Sequence, residues 1–338
     1  MREITVEGTS YQFSCDSGDT VLGGGLRAGL GMPYECAVGA CGTCKFELLE
    51  GEIEEGWSAA PGLSERDRAK GRKLACQCRP KGDCRIKIRL DDACRPIIVP
   101  RKFDAVLVAS EGVTHDIREF RFRGTSPAAF LPGQFALLHL PGVPGVRAYS
   151  MANLANDEGD WHFQVRRVEG GAGSSALFDR LSHGARIQID GPYGAAHLRT
   201  DAARDVVCVA GGSGLAPMLS IARGMSQSGM LDTQRLHFFY GGREARDVCG
   251  ETQLRSLQGY GDRIRFYPVV SAPNEGNGTT WEGRTGFVHQ HVEEVIGAHM
   301  QACEFYMAGP PRMIHAMQDM LHVRHAVPPA QVHFDRFF

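Results

Sequence analysis

Three cysteines spaced C-x4-C-x2-C, namely Cys36, Cys41 and Cys44, constrain this chain more than any other feature, because so short a loop brings three thiols to one metal centre. Cys76 follows further along, and eight of the 11 cysteines fall within the first 94 residues. The N-terminal MREITVEGTSYQF alternates like a strand and lacks the basic-then-apolar build of a signal peptide, so a cytoplasmic location is expected. Clustered cysteines in that compartment read as ligands before disulfides. Four thiolates, two per iron, suit a [2Fe–2S] cluster, and the small residues Ala37-Val38-Gly39-Ala40 leave amides free to hydrogen-bond its sulfurs. The alternatives are inert buried thiols or a zinc site using Cys41/Cys44 with Cys76/Cys78. Zinc favours two similar C-x2–4-C pairs, whereas Cys76-Gln77-Cys78 has a single intervening residue. On chemistry alone the fourth ligand stays open between Cys76 and Cys78.

At 338 residues the chain exceeds what one hydrophobic core serves, and its composition (43% hydrophobic, 22% charged) is that of an ordinary globular protein. A net charge of −2 argues against a nucleic-acid partner, and no apolar run approaches the roughly 20 residues of a membrane helix. Ile4–Glu7 and Tyr11–Ser14 read as a hairpin. A short helix follows from Thr20, capped by Asp19 or Thr20 and weakened by Gly23-Gly24-Gly25. After the cysteine loop come a strand over Lys45–Leu49, an acidic run Glu50–Glu55 read as a solvated turn with a possible role in steering a redox partner, and a last strand around Ile86–Leu90. Residues 93–102 read as a linker. Over 103–200, short apolar runs broken by Gly and Pro argue for an antiparallel barrel or sandwich. Over 201–338, buried-type strands such as Val206–Ala210 and Glu304–Ala308 alternate with helical patterns, the mark of a parallel α/β domain. Three domains are expected: 1–92, 103–200 and 201–338.

Arg147-Ala148-Tyr149-Ser150 ends a barrel strand, where an Arg can neutralise a pyrophosphate and a Tyr can pack on a planar ring. Gly170-Gly171-Ala172-Gly173-Ser174-Ser175 opens a helical run and offers amides to a phosphate. In this order the two motifs point to a flavin. Gly211-Gly212-Ser213-Gly214 joins a buried strand to a helix, and with Tyr240-Gly241-Gly242-Arg243 and Gly309-Pro310-Pro311 it falls at strand carboxyl ends, where a dinucleotide binds. Glu244, next to Arg243, would repel a 2′-phosphate and so favours NADH over NADPH.

With those residues in view, the whole chain resembles the reductase components of bacterial multicomponent aromatic-ring oxygenases, closest to those of carbazole dioxygenase and toluene monooxygenase systems. Pro33-Tyr34-Glu35-Cys36, the segment from Trp57 to Leu63, Leu74-Ala75-Cys76-Gln77-Cys78 and the ending His333-Phe334-Asp335-Arg336-Phe337-Phe338 carry the likeness. The resemblance implies a β-grasp plant-type ferredoxin domain, an antiparallel β-barrel FAD domain and an α/β parallel-sheet nicotinamide-dinucleotide domain. It implies Cys76 as fourth cluster ligand, and Arg147, Tyr149, Ser150, Gly171 and Ser174 around FAD. It assigns Gly211, Gly212, Gly214, Arg243, Gly309 and Pro310 to the dinucleotide, with Phe337 or Phe338 shielding the flavin ring. No acid–base pair or nucleophile is called for. The implied activity is electron transfer from NADH through FAD and the cluster to a ferredoxin or a terminal oxygenase. A non-oxygenase partner, as in deoxysugar synthesis, would use the same domain order, and a zinc-stapled binding module without redox function is the rival from another class. The sequence departs from its relatives at Gly23–Gly25, where they prefer an Ala-rich helix, and at Ala172-Gly173, where a basic residue is common.

Overall fold

The computed structural model describes residues 1–273 and 280–338. The N-terminal part is a five-stranded sheet ordered Gln12–Cys15, Arg2–Val6, Cys84–Lys87, Lys45–Glu50, Arg72–Leu74. Arg2–Val6 pairs antiparallel with its hairpin neighbour and parallel with Cys84–Lys87, which is the β-grasp arrangement. The helix Val21–Arg27 begins at Thr20, whose hydroxyl accepts the Gly23 N–H at 3.1 Å. Its glycines lie buried against the sheet. A Cβ at Gly24 would stand 3.0 Å from Cys15 Sγ, and one at Gly25 would stand 2.8 Å from Met32 Cγ. The poor helix formers are therefore there for close approach.

The acidic run is not a turn of free carboxylates. Ile53–Glu55 is a strand paired with Cys78–Pro80. Glu50 pairs with Arg85, Glu55 with Lys73, and Glu52 with Lys81 at 2.8 Å. Basic residues on or just beyond neighbouring strands thus neutralise much of the charge available for steering a partner. The polar stretch beyond it holds a helix, Glu65–Ala69, started by a capping box between Ser64 and Asp67. Asp67 also draws in Lys45 at 2.8 Å and Arg72 at 3.0 Å.

The middle part is a six-stranded antiparallel sheet ordered Arg147–Ser150, Phe135–His139, Arg186–Tyr193, Arg101–Gly112, Ile117–Gly124, Asp160–Arg166. A bridge between Met151 and Phe163 nearly closes it into a barrel around Phe120, Phe122, Trp161 and Phe163. The third part is a parallel sheet ordered Arg284–Thr285, Ile264–Val270, Leu236–Gly242, Asp205–Gly211, Cys303–Gly309, Val332–Arg336. Its central strands are buried almost throughout, as sheets covered on both faces require. The chain order reverses at Asp205–Gly211, which sets a crevice at the strand carboxyl ends. Among the described residues no helix is long and apolar enough to cross a membrane.

Candidate redox site

The four cysteines singled out by spacing come together in two close pairs. Cys36 Sγ lies 3.3 Å from Cys41 Sγ, and Cys44 Sγ lies 3.4 Å from Cys76 Sγ. The loop that achieves this is bent tightly, with φ of 54° at Ala37, 91° at Gly39 and 78° at Gly42. A left-handed Ala costs about 1 kcal/mol, strain of the kind kept at ligand sites. A Cβ at Gly42 would stand 2.3 Å from the Gly62 carbonyl oxygen, and Gly62 N–H donates to Gly39 O at 3.0 Å. The Trp57–Leu63 segment therefore braces the loop. Donors already face the sulfurs: Cys41 N–H to Cys36 Sγ at 3.3 Å, Thr43 N–H to Cys41 Sγ at 3.4 Å, and Gln77 Nε2 to Cys76 Sγ at 3.5 Å.

Within each pair one thiol donates to the other. The bond from Cys36 pushes the Cys41 thiol down to about 5, and Cys76 lowers Cys44 in the same way. Two pairs of thiols, with N–H donors aimed at them, fit an anionic two-iron centre. Cys78 stands apart in its own strand, where burial pushes its thiol up to about 12.

Beside this nest lies a cleft of about 370 Å³. Glu35, Cys36 and Val38 of the cysteine loop form one wall, Arg147–Ser150 and Gly171–Ser174 another, and Ser213 with Asp335–Phe338 the third. The barrel motifs are packed on each other: a Cβ at Gly173 would stand 2.8 Å from Arg147 Cγ and 3.0 Å from Tyr149 Oη. The Ser174 hydroxyl is spent on its own loop, accepting Val168 N–H at 3.1 Å and lying 3.1 Å from Gly171 O. Arg147 Nη1 donates to Pro144 O at 3.1 Å, which steadies its guanidinium at the rim. Gln164, buried in the cleft wall, has an Oε1 with no partner among the described residues. A flavin ring carries an N–H that can satisfy such an acceptor, so these residues fit the group.

At the carboxyl ends of the parallel strands the two glycine motifs interlock. A Cβ at Gly214 would stand 2.0 Å from Ala308 O, and one at Gly211 would meet Met313 Sδ at 2.9 Å and Pro310 Cδ at 3.2 Å. Gly212 and Arg243 line a second, smaller cleft of about 40 Å³ with Asp116, Arg166 and Asp247. Asp247 Oδ2 accepts the amides of Arg243 at 3.0 Å and Glu244 at 2.8 Å, which orders the loop beyond the strand.

The motif reading missed Glu35, Gln164, Arg166 and Asp335 as cleft residues. Arg166 and Gln164 lie on the strand just before the glycine loop, so strand register was the available signal for both. Glu35 and Asp335 carried none beyond their place in stretches that resemble the family.

Cysteine nest, barrel and parallel sheet around one cleft define an iron–sulfur flavoprotein oxidoreductase. Residues 4–81 match the 2Fe-2S iron–sulfur cluster binding domain, 104–198 the oxidoreductase FAD-binding domain and 208–319 the oxidoreductase NAD-binding domain. The ferredoxin–NAD(P)+ reductase CarAd of Metapseudomonas resinovorans is 42% identical over 341 residues, covering 100% of both chains. The ferredoxin–NAD+ reductase component of the alkene monooxygenase system of Xanthobacter autotrophicus is 40% identical over 96% of this chain and 97% of its own. A solved ferredoxin reductase in carbazole 1,9a-dioxygenase superposes with a TM-score of 0.91 at 38% identity, over 100% of this chain and 98% of that one. The chain belongs to the family of ferredoxin–NAD(P)+ reductases.

Proposed function

We propose that this reductase takes a hydride from NADH at FAD and delivers single electrons, through a cluster on Cys36, Cys41, Cys44 and Cys76, to a ferredoxin or a terminal oxygenase component in aromatic-compound oxidation. The observation that carries this reading is the single cleft lined at once by Cys36, by the Arg147–Ser150 strand and by residues of the parallel-sheet part. The chemistry the bound groups supply is hydride acceptance and one-at-a-time release of the two electrons. The residues supply placement. Arg147 would hold the flavin pyrophosphate, Tyr149 and Ser150 would hold its ring, and Gly171 with Ser174 would form the loop for its phosphates. Gly211, Gly212, Gly214, Arg243, Gly309 and Pro310 would hold the nicotinamide dinucleotide, while Phe337 or Phe338 would keep water off the flavin ring. Glu244, which stands next to Arg243 and pairs with Arg246 at 2.7 Å, is the residue on which the preference for NADH over NADPH rests.

The oxygenase partner is supported by the named roles of the relatives, which include components of naphthalene 1,2-dioxygenase and xylene/toluene monooxygenase systems. A cytoplasmic location is supported by 11 cysteines that are all free of disulfides. The functional boundaries we propose are 1–92, 103–200 and 201–338 with 93–102 as linker, although the first barrel strand already begins at Arg101. The test is an anaerobic visible spectrum during NADH titration, followed by low-temperature EPR. Bleaching of flavin and cluster bands with a rhombic EPR signal is the expected result. Flavin bleaching without that signal removes the cluster assignment and leaves the flavin reductase.

A further inference from the structure

Tyr34, Glu35 and Cys36 are consecutive, yet each grips a different part of the molecule. Tyr34 Oη accepts the Gly194 N–H at 2.8 Å, and its ring meets Tyr193 edge-on at 6.0 Å, both on the barrel side. Glu35 forms a fork-to-fork pair with Arg336, Nε to Oε1 at 2.8 Å and Nη2 to Oε2 at 2.7 Å. That pair ties the residue before the first cysteine to the last strand of the parallel sheet. Its side chains are 15% and 23% exposed, so water cannot fully replace either partner. Arg336 is itself immobilised: Nη1 lies 3.1 Å from His315 Nε2, and its guanidinium sits 5.3 Å from the Phe334 ring centre. The cysteine loop, by contrast, is built from small residues and glycines in left-handed conformations. Such a loop holds its metal but does not by itself fix where that metal lies relative to another domain.

We propose that Glu35 and Arg336 form an interdomain clamp that sets the separation between the Cys36 end of the cluster loop and the flavin cleft. Tyr34 supplies the second fixed point, so the loop is pinned to two domains by two successive residues. The clamp acts by position: Glu35 and Arg336 line the cleft, but their charged ends are spent on each other, and their effect on electron transfer passes through the distance they maintain. This inference rests on the cluster and flavin assignments of the preceding subsection.

The test compares hydrogen–deuterium exchange of segments 31–36 and 332–337 in the holoprotein and its Glu35→Gln, Arg336→Met and doubly substituted variants. Each single change is expected to lower protection about tenfold in both segments, the equivalent of ~1.4 kcal/mol. The double variant is expected to lose no more than either single one, because a pair is broken only once. Loss confined to the substituted segment, or about a hundredfold loss in the double variant, would overturn the clamp. A second readout follows NADH-driven cluster reduction by stopped flow. The Glu35→Gln protein should transfer electrons to the cluster more slowly while its EPR line shape stays that of the parent. An unchanged transfer rate alongside lost protection, or an altered line shape, would overturn the positioning role. If the parent protein carries no reducible cluster, the functional assignment fails by that observation, while the exchange result still decides the clamp.

Discussion

Cys44 Sγ lies 3.4 Å from Cys76 Sγ, although 32 residues separate them, and this pairing favours Cys76 over its neighbour Cys78 on grounds that spacing alone did not supply. Cys76 sits at a turn beside Gln77, whose side chain reaches back to the sulfur, whereas Cys78 is locked into a strand with its thiol in the core. A Cys76→Ser protein is therefore expected to lose its cluster, and a Cys78→Ser protein to keep it at a cost of about 1 kcal/mol in stability from the polar atom placed in the core. Iron and acid-labile sulfide analysis of the two purified variants checks this. Equal iron content in both would mean that the fourth ligand is not Cys76.

Replacing a helical Gly by Ala ordinarily stabilises a helix by about 1 kcal/mol. Gly25 should behave in the opposite way, because the new methyl would stand 2.8 Å from Met32 Cγ and 3.0 Å from Met32 Sδ. Overpacking of this kind costs about 1–3 kcal/mol. Thermal unfolding of Gly25→Ala followed by circular dichroism should show a lowered midpoint, and the same change made in a Met32→Ala background should cost less than in the parent. A raised midpoint would mean that the helix has room to move off the sheet.

The elements that proved legible were those whose signal is local. Cys36, Cys41 and Cys44 and the glycine motifs at strand ends announce themselves within a few residues, and the structure brings the three cysteines together with Cys76 from 32 residues further on. What stayed hidden depends on pairs far apart in the chain. The Glu50–Glu55 run reads as a solvated turn until Lys73, Lys81 and Arg85 arrive beside it from elsewhere in the chain. His291 packs edge-on against Phe239 and Tyr267 at 5.7 Å and 5.9 Å, two rings from strands earlier in the chain. Arg336 finds Glu35 across 301 residues, a distance over which no periodicity speaks.

Arg147 offers the cleft a fixed guanidinium, held from behind by the carbonyls of Pro144 and Val146 at 3.1 Å and 3.0 Å. Losing a charge-assisted bond to a phosphate costs about 1.5–3 kcal/mol, so Arg147→Leu should weaken FAD binding by roughly tenfold to a hundredfold. Flavin content after gel filtration, and fluorescence titration of the flavin-free protein with FAD, measure this directly. Cluster content should stay at the parental level, since Arg147 lies on the barrel and not on the cysteine loop. Unchanged FAD affinity would move the pyrophosphate to another part of the cleft, which Arg166 and Arg336 also line.

Asp335 carries the clearest pH signature in the cleft. Burial, and then the negative charge of Glu35, push its carboxyl from 3.8 up to about 8. The sign follows from proton counting. Between about pH 4 and pH 8 the folded state holds a proton on Asp335 that the unfolded chain has lost, so stability falls as pH rises through that window and levels off above it. Asp335→Asn keeps the shape and removes the titration. The variant should match the parent near pH 4 and exceed it near pH 8, with urea midpoints at the two ends as the measurement. A parent whose stability does not fall between those limits, or an Asn variant that falls with it in parallel, would mean that Asp335 is ionised in the folded protein and held by a partner, and that its place beside Glu35 carries no proton.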